Sequence, residues 1–262
     1  MKKGFSAIAF ARGLAGVVVL LVVWEGFARS GMYSTAMTPP IESVARTAWR
    51  MLADGSLVEN ALATLLRVFI GLAISFAIAV PLGVLMARYW VAERIFQPVL
   101  SVLLPIPSLA WVPLFVLWFG IGNIATILVV IYAAFFPLIY SVWTGVRAVN
   151  PLWLRAATVM GADEAMLFRK VIWPGSLPYV INGLRLSFGR AWIGVIGGEL
   201  LASPQLGLGE IIFNAKEFLE AGVMLSTLVG IGAIGVLFER FVFQAIESVT
   251  VRRWGMDSGS SA

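Results

Sequence analysis

Neither cysteine nor histidine occurs in the 262 residues of this sequence. Without cysteine there is no disulfide and no thiol chemistry. Without histidine the usual metal ligand and the side chain that most readily exchanges protons near neutral pH are both missing, and no Ser–His or Cys–His nucleophile can be assembled. Charge is scarce as well, at 13% of residues. No two carboxylates sit together at the edge of an apolar run as a metal–pyrophosphate site would need. The pattern G-x-x-x-x-G-K-[ST] is absent, so the chain does not itself cradle nucleotide phosphates. Long repeats are absent too, which leaves an inverted-repeat transporter without support. Together these absences speak against an intrinsic enzyme and predict no cofactor and no metal bound by this chain.

What is present is apolar. Hydrophobic residues make up 60% of the chain and the mean hydropathy is +0.93, well beyond an ordinary soluble domain. The composition is that of an all-α, polytopic membrane bundle. The net charge of +5 fits the Lys and Arg that membrane proteins gather in cytoplasmic loops, and nucleic acid is not an expected partner. Six apolar runs are long enough to cross about 30 Å of hydrocarbon: 13 to 30, 64 to 87, 97 to 119, 124 to 146, 178 to 200 and 225 to 243. The first, behind Lys2, Lys3 and Arg12, reads as a retained span, because Trp24 to Phe27 stand where a leader peptide would need small residues. With both termini in the cytoplasm, Arg88, Arg94, Arg147, Arg155, Arg169, Lys170 and Arg240 are inside, and only Arg29, Arg46, Arg50, Arg67 and Lys216 are outside. The expected division is an amino-terminal span with an outer amphipathic segment over 1–63, a core over 64–250 containing a cytoplasmic loop at 150–177, and a disordered cytoplasmic tail over 251–262.

Two outer stretches carry helical periodicity. Ile41, Val44, Ala45, Ala48 and Leu52 line one face, and Leu208, Ile211, Ile212, Ala215, Phe218 and Leu219 line another. Each reads as a helix along the outer surface, resting in lipid headgroups or receiving an external partner. In the third span Pro105, Pro107 and Pro113 would release the carbonyls of Ser101, Leu103 and Leu109. Such backbone survives at depth only against protein or a wet cavity, so this span should face the bundle interior, as a kinked packing helix or as a mobile, broken one lining a pathway. The fifth span holds Gly194 and Gly198, a G-x-x-x-G suited to close helix contact. Ser226 and Gly230 make a similar pair in the sixth. Four ionisable residues lie at membrane depth: Arg185 and Arg190, expected to snorkel from the first turns of the fifth span, Glu199 at its outer end, expected to meet water, and Glu25 near the outer end of the first span, expected at the interface.

The hydrophilic interruption from Asn150 to Pro178 predicts two short helices with a corner. Asn150 caps the first and Pro151 opens it. Gly161 permits the left-handed residue that ends it. Asp163 caps the second, Glu164 lies in its first turn, Arg169 and Lys170 in its last, and Pro174 is expected to stop it. Trp153, Ala156, Ala157 and Met160 form one face of the first helix. On the second, Leu167 pairs with Val171 and Phe168 with Ile172.

This segment resembles the E-A-A loop of the permease subunits of bacterial ABC importers, whose pattern is E-A-A, three residues, G, nine residues, then I-x-L-P. Ala156, Ala157, Gly161, Val171 and Pro174 fall at those spacings, with Arg155 in place of Glu and Trp173 in place of Leu. The resemblance covers most of the chain beyond the first span and is closest to the nitrate, sulfonate, taurine and bicarbonate group. The third-span run from Pro105 to Gly122, the run from Gly183 to Val195, Glu199, and the G-L-G at Gly207 to Gly209 carry it further. It implies a type I permease fold with six transmembrane helices in a bacterial inner membrane, crossed by a small, often anionic solute. It implies a second permease copy, two ATPase subunits that bind ATP and Mg²⁺, and an external solute-binding protein. It gives the loop residues Trp153, Arg155, Ala156, Ala157, Met160, Gly161, Leu167, Phe168, Val171 and Pro174 a coupling role. Pro105, Pro107, Pro113, Arg185, Arg190 and Glu199 are the pathway or gate candidates. A secondary transporter or channel that works alone is the alternative.

Overall fold

The computed structural model describes residues 7–202 and 204–243, and the side chains of 15–202 and 204–241. Lys2, Lys3, Arg252, Arg253 and the predicted tail 251–262 lie outside the described residues, as does the side chain of Arg12. All the regular structure among the described residues is helical: α1 (Ala7–Arg29), α2 (Ile41–Ala53), α3 (Ser56–Arg88), α4 (Trp90–Leu103), a 3₁₀ turn (Ser108–Trp111), α5 (Val112–Phe119), α6 (Asn123–Arg147), α7 (Pro151–Val159), α8 (Glu164–Leu167), a π turn (Phe168–Ile172), α9 (Trp173–Ala202), α10 (Leu208–Glu217), α11 (Ala221–Leu237) and a second π turn (Phe238–Phe243).

Three of these, α3, α6 and α11 with its continuation to Phe241, are long and apolar enough to cross a membrane, and they match three predicted spans. The predicted spans 13 to 30 and 178 to 200 fall on α1 and α9. The predicted span 97 to 119 is not one helix. It is α4 followed by the 3₁₀ turn and α5, bent by 87°. Pro105 and Pro107 lack the N–H groups that would continue α4, and the chain leaves the helix where they fall.

The centre of the bundle is α3, α6 and α9, packed side by side. Small residues set their spacing. A Cβ on Gly71 would fall 2.8 Å from the Cβ of Val130, and one on Gly183 would fall 2.5 Å from the Cβ of Ser141. Gly194 and Gly198 face Ala133 and Thr126 of α6, so the G-x-x-x-G works inside the subunit. Two apolar clusters stack along this axis. One gathers Val68, Leu72, Val130, Phe188, Trp192 and Leu208; the other, nearer α7, gathers Val80, Met86, Leu100, Ile139, Val142 and Val180. Outward-facing apolar residues such as Leu62, Leu66, Leu228 and Val229 are left exposed on the flanks, as a lipid-facing surface requires.

At the end of the bundle away from α7, the two amphipathic stretches pack onto it. Helix α2 lies against α11, where the Ser226 hydroxyl donates to the Val44 carbonyl at 2.9 Å, and α10 buries Leu208, Ile212 and Ala215. Gly230, the other half of the predicted small pair, touches Leu57 of α3. Helix α1 meets the rest of the protein near its carboxyl end, where the Trp24 indole donates to the Pro39 carbonyl at 3.2 Å. There Glu25 pairs with Arg29 and accepts from the Ile41 amide at 2.9 Å.

Candidate functional site

The loop at 150–177 is built by its caps. The Asn150 carboxamide oxygen accepts from the Leu152 amide at 2.9 Å, and Pro151 opens α7 without losing a bond. At the other end Gly161 takes φ +84°. The Gly161 amide donates to the Thr158 carbonyl and the Ala162 amide to the Ala157 carbonyl, both at 3.0 Å, which is the paired closure of a Schellman turn. The Asp163 carboxylate then accepts from the Met166 amide at 2.7 Å and starts α8.

Pro174 does not stop the second helix. The chain runs helically from Glu164 through the π turn into α9 and ends only at Ala202. The Trp173 amide donates five residues back to the Phe168 carbonyl, and this wider turn carries the backbone past the proline, whose missing N–H falls at the start of α9. Arg169 and Lys170 therefore lie inside a continuous helical run rather than in a last turn, and no free carboxyl-terminal end is present for them to neutralise.

The predicted face of α7 is divided. Ala157 turns inward and is buried, whereas Trp153 and Met160 are exposed at 53% and 80%, beside Val159 at 88%. Arg155 and Ala156 are exposed with them, and Leu167, Phe168, Val171 and Pro174 are half-buried. An ion pair fixes the loop to α3, with Arg88 Nη2 2.6 Å from Glu164 Oε2. Phe168, Arg169 and Trp173 also border an open groove of about 510 Å³ with Val80, Leu85 and Tyr89. The result is a knob with an exposed apolar tip on a fixed stem.

The broken span is expected to face the bundle interior, but within the single chain only Leu100 and Val112 of residues 97–119 are buried, and Pro105, Pro107 and Pro113 are exposed. Pro107 precedes the 3₁₀ turn and Pro113 occupies the first turn of α5, where it costs no bond. The Leu103 carbonyl, one of those expected to be released, accepts from the Tyr132 hydroxyl at 2.6 Å and from the Ile106 amide at 3.1 Å. Beside the break lies a cavity of about 600 Å³, lined by Pro105, Pro107, Ser108, Tyr132, Tyr140 and Arg190 among others.

The ionisable residues are placed differently from the sequence expectation. Arg185 pairs with Glu239 of the second π turn, its Nε 2.8 Å from Oε1. Because α9 begins at Trp173, Arg190 is not in a first turn but ~25 Å along the helix at 1.5 Å per residue. Glu199 does not meet water. It is fully buried, and it accepts from Arg67 Nη1 at 2.6 Å, the Thr64 hydroxyl at 3.0 Å and the Gly209 amide at 2.9 Å. The turn before α10 folds over it, with Gly207 N–H donating to Asn60 and Leu208 N–H to Thr64.

Arg67, which the sequence presents only as an outer charge, is the residue that sequence reasoning misses. It is buried, and its Nε donates to Asn123 at 2.8 Å. A signal exists: Asn60, Thr64 and Arg67 recur at helical spacing on one face of α3, and both Arg67 and Glu199 sit near the outer ends of their spans.

The family model described as "Binding-protein-dependent transport system inner membrane component" matches residues 79–248. An ABC transporter permease protein of Methanocaldococcus jannaschii is 33% identical over 247 residues, covering 91% of this chain and 92% of that one. The taurine transport system permease protein of Escherichia coli is 33% identical over 228 residues, covering 85% and 82%. A chain of the methionine ABC transporter solved in inward-facing conformations superposes with a TM-score of 0.60 at 22% identity, over 81% of this chain and 98% of that chain.

Proposed function

The chain belongs to the family of binding-protein-dependent transport system inner membrane components and is the permease subunit of an ABC importer, and we infer that segment 150–177 is where the work of ATP hydrolysis enters it. The exposed apolar tip formed by Trp153, Val159 and Met160 carries this reading. Such a tip on a polar loop is costly in water and is stabilised when a partner groove covers it. The chain has no phosphate-cradling loop, so ATP and Mg²⁺ bind to partner ATPases, two of them under a pair of permease copies.

In this arrangement the loop and both termini face the cytoplasm, in keeping with the distribution of Lys and Arg. The external binding protein delivers its solute to the opposite end, near α2 and α10. The solute is small and carries an anionic group, such as the sulfonate of taurine, the solute in the name of the Escherichia coli relative. Closure of the ATPases displaces the loop, and the spans pass between inward-open and outward-open states.

The test is a reconstituted transporter containing the permease, its ATPase and its binding protein. Gly161 has φ +84°, which proline cannot adopt. Gly161→Pro is expected to leave membrane insertion intact and to separate ATP hydrolysis from uptake. Uptake still coupled at the wild-type ratio would rule the reading out, and transport by the permease alone in ATPase-free vesicles would favour an independent transporter.

A further inference from the structure

We propose that Arg190 is the anion-binding residue of the translocation pathway, holding a sulfonate or carboxylate group in the cavity beside the broken span. The proposal rests on the importer reading above and adds a site to it.

Four observations converge. Arg190 lies ~25 Å from one end of α9 and ~18 Å from the other, too deep for its side chain to reach either end of the helix easily. An ionisable side chain at that depth is costly unless it faces protein or a water-filled space. Among the described residues Arg190 makes no ion pair, whereas Arg67, Arg88, Arg147 and Arg185 each do. Arg190 is exposed in the single chain and lines the open pocket of about 600 Å³, and no Asp or Glu lines it with Arg190. Another wall is the break itself, where Pro105 and Pro107 interrupt the helix and Ser108 brings a hydroxyl group, and Tyr140 of α6 brings a second.

A planar guanidinium with five N–H donors matches the oxygens of a sulfonate or carboxylate. For an anion that contact is charge-assisted. A neutral solute of the same size would gain none of it.

The absence of cysteine from the chain makes a direct test available. Ser108→Cys puts the only thiol of the permease on the cavity wall, and Arg190 stays intact. The full transporter in nanodiscs is treated with a neutral maleimide, with ethanesulfonate as the probe and erythritol as the uncharged control. Ethanesulfonate is expected to slow labelling and erythritol to have no effect. In Ser108→Cys with Arg190→Gln, half-protection should need about tenfold more ethanesulfonate or higher, as loss of a charge-assisted contact requires. Arg190→Lys in the same background should restore most of it.

Equal protection by erythritol, full protection in Arg190→Gln, or an introduced thiol that maleimide never reaches would each overturn the proposal. ATP-driven uptake by the same preparation is measured in parallel. Protection without ATP-driven uptake would overturn the importer reading and leave the anion site standing.

Discussion

Glu199 and Arg67 form an ion pair with 0% and 7% of their side chains exposed, and burial makes each dependent on the other. Removing one partner strands a charge in a low dielectric, at a cost of about 3–5 kcal/mol, whereas removing both leaves no stranded charge. Glu199→Ala and Arg67→Ala should each lower thermal stability in detergent. The double variant should lose clearly less than the sum, as a double-mutant cycle followed by size-exclusion after heating would show. Two glycines beside the pair are equally constrained. A Cβ on Gly207 would come 2.6 Å from the Glu199 carboxyl carbon, and one on Gly209 would come 2.5 Å from the Ile196 carbonyl oxygen. Gly209→Ala meets backbone that cannot swing aside, so it should cost about 1–3 kcal/mol or more of stability, read in the same assay.

At the scale of elements, the loop shows what local chemistry can and cannot announce. Asn150, Gly161 and Asp163 act through bonds within a few residues, so their roles are legible in the sequence. Pro174 escapes its expected role because a proline stop assumes an α-helical register, and the π turn before it changes the register. The third span is legible as interrupted, since three prolines are local. That the interruption is an 87° bend and that Tyr132 supplies the Leu103 carbonyl depend on α6, which lies elsewhere in the chain. The Glu199–Arg67 pair is the same lesson at 132 residues of separation: each half is visible in the sequence and the pairing is not. Arg88 and Glu164 join α3 to α8, with the Glu164 side chain 85% exposed, so the pair contributes little to stability and its value is positional. Glu164→Arg should leave expression unchanged and lower the uptake obtained per ATP hydrolysed, and Arg88→Glu with Glu164→Arg should recover part of the loss.

For the whole molecule, α3, α6 and α9 form the frame and the other helices are fitted to it. Helix α1 stands apart, with Val19, Leu20, Val22 and Val23 each more than 60% exposed, and among its described side chains the links to the rest of the protein run through Trp24, Glu25 and the buried Ala28. Deleting residues 1–30 should therefore leave the frame folded, with a melting temperature within a few degrees of the full chain. A collapse of the protein on deletion would mean that the frame depends on α1 after all.

The helical run from Glu164 to Ala202 crosses this frame without a gap. One rod thus has the exposed knob at one end, Arg190 part way along, and Glu199 with its captive turn at the other. If the loop is the coupling element proposed above, displacing it displaces a helical run whose far end carries the clasp. On that reading, timing between the two faces needs no relay of separate parts, because one continuous helical run joins them.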